Sequence, residues 1–347
     1  MKSRGEALRD YVVRRFLLMI PTFIGITFVT YLLCQFVPGG PIDQLRLQLA
    51  GAGGQGAVAA RGARVQLDIP EGQLKQLKAY YGFDKPFLVA YGEWLGKTVR
   101  LDLGQSFRYN EPVLRVIADR LPVSLYYGVI TAFFTYAIAI PLGIIKAIRH
   151  RTAMDNLTSA VIFIGYAVPG FALGAVLVNL LAVQIHIFPL GGFASPNAST
   201  LPPAAQVGDV VWHSVLPLVA YLIGAFTVET MLMKNSLMEN MSADYVRTAL
   251  AKGLNWRRAV FVHALRNSLI PMATSIGSLL GIFLTGSVLI ERVFNIQGVG
   301  LLFFEATQAR DFPVVMGFLV ISSVILMLGN LVSDLAVAFV DPRVRFE

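Results

Sequence analysis

Long apolar runs separated by shorter polar stretches dominate the pattern of this chain. Six runs reach the length of about 20 residues that a helix needs to cross the hydrocarbon core of a bilayer. They occupy residues 12–37, 122–148, 157–185, 211–233, 268–290 and 313–340. The first run is too long for a signal peptide and lacks a small-residue cleavage site, so we expect it to be retained. The pattern predicts an all-α membrane protein with six transmembrane helices.

Basic residues alternate between the connections that join these runs. The N-terminal tail and the connections after the second and fourth runs are rich in Lys and Arg, whereas residues 186–210 contain neither. After the fifth run, three acidic residues outnumber Arg292 and Arg310. Because short cytoplasmic loops carry an excess of Lys and Arg, the N-terminus, the loop 234–267 and the tail 341–347 are predicted to be cytoplasmic.

The connection 38–121 is far longer than the others and is predicted to lie outside. Long loops are translocated largely regardless of charge, so its basic residues do not contradict the topology. Leu74, Leu77 and Tyr81 have helical spacing, and Trp94 and Phe107 add apolar surface. These features predict a small external cap between the first helix (1–37) and the membrane core (122–340). The cap either contacts a delivery protein or only shields the helix bundle, and the sequence does not decide between these two roles.

Composition narrows the possible functions. Hydrophobic residues make up 55% of the chain and charged residues only 14%, against roughly 25% charged in a soluble domain. The single cysteine and four scattered histidines provide no disulfide framework and no expected metal site. The net charge of +8 belongs to the predicted cytoplasmic loops, so no nucleic-acid partner is expected. Gly96-Lys97-Thr98 ends like a phosphate-binding loop, but Tyr91 stands where its first glycine should be, so ATP would bind another subunit.

The stretch from Asp244 to Pro271, between the fourth and fifth runs, is the most informative. It is basic and has helical spacing, with small residues at Ala249 and Gly253. A charged helix between two spans presents a surface to a partner in water, and the alternative is a solvated loop near anionic lipid. The candidate residues of this surface are Asp244, Tyr245, Arg247, Thr248, Ala249, Gly253 and Arg257.

A weakly polar stripe on the fifth run is a second candidate site. At about 100° per residue its members fall within about 60° of one another. Such a stripe borders an aqueous path or packs against another helix, since small residues let helices approach. Glu229 and Asp334 are the ionisable residues most nearly within spans, and their position near the cytoplasmic ends favours a structural role. The stripe consists of Thr274, Ser278, Gly281 and Thr285.

Short motifs along the chain match one family. They are Tyr-Val-Val-Arg-Arg (11–15), Val-Pro-Gly-Gly-Pro (37–41), Tyr-Gly-Phe-Asp-Lys-Pro (81–86), Asp-Leu-Gly-Gln-Ser (102–106), Arg-Leu-Pro (120–122) and Asp-Pro-Arg (341–343). With these motifs and the stretch 244–271, nearly the whole chain resembles the OppB/DppB-type permease subunit of bacterial peptide ABC importers. The stretch Gly-Gly-Pro-Ile-Asp-Gln (39–44), the Gly-rich insertion 51–62 and the ending 343–347 resemble most the Yej-type branch, which imports oligopeptides and, in some bacteria, microcin C-like peptide-nucleotides. Arg247-Thr248-Ala249 replaces the Glu-Ala-Ala of many importers, as is common in peptide permeases.

The resemblance implies a type I ABC-importer permease in the bacterial inner membrane, with a periplasmic cap. Its partners would be a second homologous permease, two ATP-binding domains (separate or fused) and a periplasmic solute-binding protein. ATP and Mg²⁺ would be bound by the ATPase, and the chain itself would hold no cofactor and no catalytic residue. The helix around residues 245–253 would dock on the ATPase, with Ala249 allowing close approach and Gly253 the turn that follows. The alternatives are a secondary transporter, for which inverted repeats and midplane charges are missing, and a membrane scaffold.

Single cysteines test the predicted topology. In a chain whose native cysteine is removed by Cys34→Ser, we expect an impermeant thiol reagent outside intact cells to label Ser199→Cys but not Ser242→Cys, because the two positions lie on opposite sides. Permeabilised cells, in which both should react, provide the control. Equal labelling of both cysteines in intact cells would contradict the topology.

Overall fold

The computed structural model describes residues 4–36, 85–284 and 286–340. These residues form helices joined by turns, and no strand occurs among them. The main helices are α1 (Arg4–Phe36), α2 (Phe87–Val99), α3 (Val113–Ile148), α4 (Ala153–Ala167), α5 (Gly170–Leu177), α6 (Pro203–Ser242), α7 (Asp244–Ala251), α8 (Ile270–Leu284), α9 (Val288–Val293), α10 (Val299–Gln308) and α11 (Phe312–Val340). Shorter helical pieces are Val178–Gln184, Ala198–Thr200, Trp256–Arg258, Ala259–Ala264 and Leu265–Ser268.

Four stretches are long and apolar enough to cross a membrane: Arg9–Cys34 within α1, and the helices α3, α6 and α11. The helices Ala153–Ala167 and Gly170–Gln184 pass the same test only as a pair bent by 88°. With 15 residues, α8 is roughly 22 Å long, shorter than a hydrocarbon core of about 30 Å. The described helices therefore account for four spans, or five with the bent pair, and the count of six stays a prediction.

The predicted third span, residues 157–185, is not one straight helix. It breaks between α4 and α5, where Val168 has the extended conformation (ψ 120°) that a following proline favours. Pro169 also lacks the N–H needed to continue the helix. Gly170 then packs α5 against α6, because a Cβ at this position would overlap the carbonyl oxygen of Ala220. With the bend and this close contact, residues 157–185 do not form one straight span.

The chain divides into two compact units. The first contains α1 up to Met19, residues Arg120–Leu302, and α11 from Val324 onward. An apolar cluster in this unit joins the end of α3, the end of α6, α7, the connection after α7 and the start of α8. This cluster is the base against which the segment after α6 packs. Its buried members are Ala147, Met233, Leu237, Val246, Ala259, Val260, Ala264 and Met272.

The second unit, formed by the described parts of Ile20–Asp119 and Phe303–Ser323, contains α2 and the turn that precedes α3. The α2 helix packs on α1 through an aromatic cluster, and the Tyr91 and Thr27 hydroxyls are 3.0 Å apart. Asp311 accepts hydrogen bonds from the Ser106 hydroxyl and the Arg108 amide. In this unit Trp94 does pack with α1, whereas the predicted cap residues Leu74, Leu77 and Tyr81 lie outside the described residues.

Within the first unit, α8 and α11 approach closely at a pair of glycines. A Cβ on Gly277 would overlap the carbonyl oxygen of Gly329. The Ser333 hydroxyl accepts a hydrogen bond from the Gly277 amide at 2.8 Å and donates one to the Thr274 carbonyl at 2.6 Å. Glycine is required here because backbone meets backbone, as at other close helix crossings in membranes.

We therefore expect Gly277→Ala to destabilise the protein by roughly 1–3 kcal/mol, because the added methyl group forces α8 and α11 apart. The matched control is Gly208→Ala in α6, where no atom lies within 4 Å of the added carbon. That control should be neutral or more stable by up to about 1 kcal/mol, since alanine favours helix. Thermal unfolding of the two purified variants in detergent provides the comparison. Equal melting temperatures would contradict the close crossing.

Candidate coupling surface

The α7 helix follows α6 after a single residue, Ala243, whose extended conformation (ψ 147°) turns the chain. Asp244 begins the new helix, where a negative charge is favourable near the N-terminal end of the helix dipole. Only Val246 is buried, with 2% of its surface exposed, and it packs into the apolar cluster of the first unit. One apolar side chain thus anchors α7, and the rest of the helix remains available.

The predicted coupling residues on α7 share its exposed surface. The side chains of Asp244 and Arg247 are 97% and 71% exposed, and their ion pair of 3.7 Å contributes little because water screens it. Tyr245 donates a hydrogen bond of 2.7 Å to the Asn240 side-chain oxygen, which links α7 to the end of α6. Thr248 is exposed as well. The structure therefore brings these residues together on one exposed helix.

The turn after α7 depends on Gly253. Its φ of 87° lies in the left-handed region that glycine adopts without strain. The Gly253 amide donates to the Leu250 carbonyl at 2.9 Å, and the Leu254 amide donates to the Ala249 carbonyl at 3.2 Å, which closes the helix end. No atom of the chain lies within 4 Å of a Cβ built on Gly253. A larger side chain there would project into open space outside the chain.

The connection that returns to α8 extends this surface. Asn255 begins it by accepting a hydrogen bond from the Arg257 amide at 3.0 Å. Large apolar side chains that face outward lie beside basic ones, a composition typical of protein interfaces. The apolar members were not among the predicted site residues, although their position between arginines in the sequence was a signal for them. The exposed apolar residues are Trp256, Phe261 and Val262, and the exposed basic residues are Arg257 and Arg258. Ala249, a predicted coupling residue, is half-buried. We call the residues of 244–262 other than the buried Val246, Ala259 and Val260 the coupling surface.

Comparisons with known proteins identify the family of this chain. Residues 139–346 match the family described as binding-protein-dependent transport system inner membrane component. The chain is 40% identical to the peptidoglycan transport system permease protein YejB of Agrobacterium fabrum, covering 97% of this chain and 98% of the relative. It is 39% identical to the inner membrane ABC transporter permease protein YejB of Escherichia coli O157:H7 (97% and 99%). It is 32% identical to the oligopeptide transport system permease protein AppB of Bacillus subtilis (97% and 99%).

The chain belongs to this family of permeases. The predicted permease family and its Yej-type branch are therefore confirmed. The family forms the membrane subunit of ABC importers and not the ATPase, so the permease has no catalytic activity of its own. Neither the secondary transporter nor the membrane scaffold is favoured.

The structure divides the predicted polar stripe of α8. Thr274 and Ser278 are exposed, and each hydroxyl donates to a carbonyl of its own helix. Gly281 is buried instead, because a Cβ there would lie 2.8 Å from the Leu326 side chain of α11. Thr285 lies outside the described residues. The stripe therefore combines an exposed polar part with a packing contact.

Two lysines of the permease are buried, although Lys146 was predicted at the very end of the second span and Lys234 in the loop 234–267. Lys146 is in the last turn of α3, and Lys234 is inside α6, which continues to Ser242 and so includes the start of the predicted loop 234–267. Both donate to the carboxylate of Asp155 at the start of α4, at 3.0 and 2.8 Å. Since removing one partner from a buried ion cluster leaves a charge uncompensated, these three side chains fix α3, α4 and α6 together.

The two acids near span ends have different surroundings. Asp334 of α11 accepts a hydrogen bond from the Arg15 guanidinium at 3.1 Å, which agrees with the structural role expected from the sequence. Glu229 of α6 is 3% exposed and accepts a hydrogen bond from the Ser275 hydroxyl at 3.0 Å. In the part of the chain that the structure describes, Glu229 forms no ion pair.

Proposed function

We propose that this permease forms half of the translocation path of an importer for oligopeptides or peptide-like compounds. Relatives at 32% and 33% identity are named as oligopeptide and dipeptide transport permeases, from Bacillus subtilis and Lactococcus lactis. The two YejB relatives, at 40% and 39%, support the Yej-type branch, and one of them is named for peptidoglycan transport. Microcin C-like peptide-nucleotides are included among the proposed substrates because of that branch.

The proposed complex contains a second homologous permease, two ATP-binding domains and a periplasmic solute-binding protein. ATP and Mg²⁺ are held by the ATP-binding domains, separate or fused, and both termini of the permease face the cytoplasm. ATP binding draws the two domains together and turns the spans toward the outward-open state, and hydrolysis resets them. In this scheme the permease performs no covalent step and converts the movement of its partner into opening and closing of the path.

The observation that carries this proposal is the exposure of α7. The helix follows directly from α6 and its buried anchor is Val246, so its exposed surface is free to enter a groove on an ATP-binding domain. No large side chain projects from that surface at Ala249 and Gly253, so a partner can approach closely in a dense interface. Arg247 and Arg257 add positive charge at its margin.

The proposed substrate path runs beside the exposed part of the α8 stripe, at the interface with the second permease. A peptide carries many backbone donors and acceptors, so a path for varied sequences is roomy and mildly polar. Strong fixed charges would select a few peptides and retain them. Thr274 and Ser278 meet this requirement, since their hydroxyls are exposed and weakly polar. We include Thr285 in the path and assign Gly281 to packing against α11.

Two substitutions on the coupling surface test the function. We expect Ala249→Trp and Gly253→Asp to abolish transport at normal expression, because a bulky or charged group blocks docking while the buried cluster is untouched. The ATP-binding subunits should fail to co-purify, or should hydrolyse ATP without uptake. Gly253→Asn is the matched comparison, since asparagine has the size of aspartate, tolerates the left-handed backbone and adds no charge: retained uptake would assign the loss in Gly253→Asp to charge, and an equal loss would assign it to size. Normal uptake by both test variants would remove the coupling assignment.

Cysteines on α8 test the path. In the Cys34→Ser background we expect Thr274→Cys and Ser278→Cys to react with a water-soluble thiol reagent in the assembled complex, at rates that change with the bound nucleotide. Ser268→Cys is the control and should stay unreactive, since Ser268 is fully buried. Ser278→Trp and Thr285→Trp should block uptake without preventing assembly. Cysteines at 274 and 278 that are unreactive in every nucleotide state would show that the path lies elsewhere.

A further inference from the structure

Glu229 is a buried carboxyl group that the transport scheme above does not use. It lies on α6 with 3% of its surface exposed, and its described polar contact is the Ser275 hydroxyl at 3.0 Å. A carboxyl group inside a span is costly unless it is paired or hydrogen-bonded. A methionine of similar size would fill the same space at lower cost. The contact with Ser275 is therefore the feature of Glu229 that needs an explanation.

The contact belongs to a chain of hydrogen bonds through three helices. Ser275 lies on α8, and its hydroxyl is 2.8 Å from the hydroxyl of Tyr136 on α3. Both hydroxyls also lie within hydrogen-bond distance of the Met272 carbonyl, at 2.9 Å from Ser275 and 3.1 Å from Tyr136. Glu229 thus connects α6 to α8 directly and to α3 through Ser275.

The two helices joined by Glu229 are those on either side of the coupling segment. From Glu229, α6 continues for roughly 20 Å to Ser242, and α7 begins two residues later. The apolar cluster around Val246 fills the space between these helix ends, and the Ser268 hydroxyl adds a contact of 3.3 Å with the Ser236 carbonyl. The Glu229–Ser275 hydrogen bond joins α6 and α8 at the end of this packed region that is farthest from α7.

We propose that Glu229 is a positioning residue that makes α6 and α8 move as one body when the ATPase displaces α7. The proposal rests on the proposed function, because it assumes that α7 receives the movement. Without the hydrogen bond, α6 would follow α7 while α8 slipped along it. The movement would then be lost before it reached the exposed hydroxyls of Thr274 and Ser278.

Two replacements of Glu229 separate positioning from simple packing. Glu229→Gln keeps an oxygen that accepts from Ser275, whereas Glu229→Met keeps the volume and removes the acceptor. The methionine leaves no polar group unpaired, since the Ser275 hydroxyl still has the Met272 carbonyl. Each variant is reconstituted in vesicles as the complete complex, with binding protein and a radiolabelled oligopeptide that the wild type transports. The readout is the number of peptides transported for each ATP hydrolysed.

We expect Glu229→Met to assemble and hydrolyse ATP normally but to transport about tenfold fewer peptides per ATP, the loss expected for one hydrogen bond to a carboxylate. Glu229→Gln should stay within about twofold of the wild type. In the double variant Glu229→Met/Ser275→Ala, no further loss should follow. A wild-type number of peptides per ATP in Glu229→Met overturns the proposal. A loss of uptake that is fully explained by less assembled complex overturns it too. If Gly253→Asp also transports normally, the proposed coupling surface is wrong as well. If Gly253→Asp fails to transport while Glu229→Met keeps the wild-type ratio, only the role proposed for Glu229 is wrong.

Discussion

The continuity of α6 into the coupling segment is the constraint on which the rest of this permease depends. The helix has 40 residues, roughly 60 Å, about twice the thickness of a hydrocarbon core. A helix of this length cannot be contained in the bilayer, so one end must project into water or the helix must tilt strongly. Its C-terminal end leads through Ala243 to α7. The length of α6 therefore allows its C-terminal end, and α7 after it, to project beyond the hydrocarbon core, as the proposed coupling requires.

Such a long helix transmits movement only if its sides are fixed to neighbouring helices. Buried polar contacts fix α6 in this way on two sides. Asp155 accepts from Lys234 of α6 and from Lys146 of α3, all three being buried. Each of these charges is costly away from water and is tolerated because the others compensate it. On another side, Glu229 reaches Ser275 of α8. Apolar contacts alone would restrain sliding less, since dispersion forces have no direction.

The sequence predicted those features that depend on local pattern. Basic residues, helical spacing and small residues marked the coupling segment, and the turn at Gly253 followed from glycine's freedom at positive φ. Packing against another helix was one of the two roles predicted for the stripe that contains Gly281, and Gly281 does pack against α11. The family match over residues 139–346 and relatives at 40% and 39% identity confirmed the class of protein.

Features that depend on distant partners were not predicted. Lys234 was placed in a loop because its counter-charge, Asp155, lies 79 residues away in the sequence. The stripe on α8 was treated as one surface, although contact with Leu326 separates Gly281 from the exposed hydroxyls. Pro169 was known to lie in the third predicted span, but the bend of 88° depends on the packing of Gly170 against α6. A periodic pattern shows which residues share a face, but not which element covers it.

Site-specific photo-crosslinking in cells tests the central claim most directly. A photoreactive amino acid at Thr248, exposed on α7, should form a crosslink with the ATP-binding subunit when the complete complex is expressed. The same amino acid at Leu190, which is exposed and predicted to lie on the opposite side of the membrane, should not. The account predicts a crosslinked product at Thr248 alone. An intact complex that crosslinks to the ATP-binding subunit from Leu190, and never from Thr248, would contradict it.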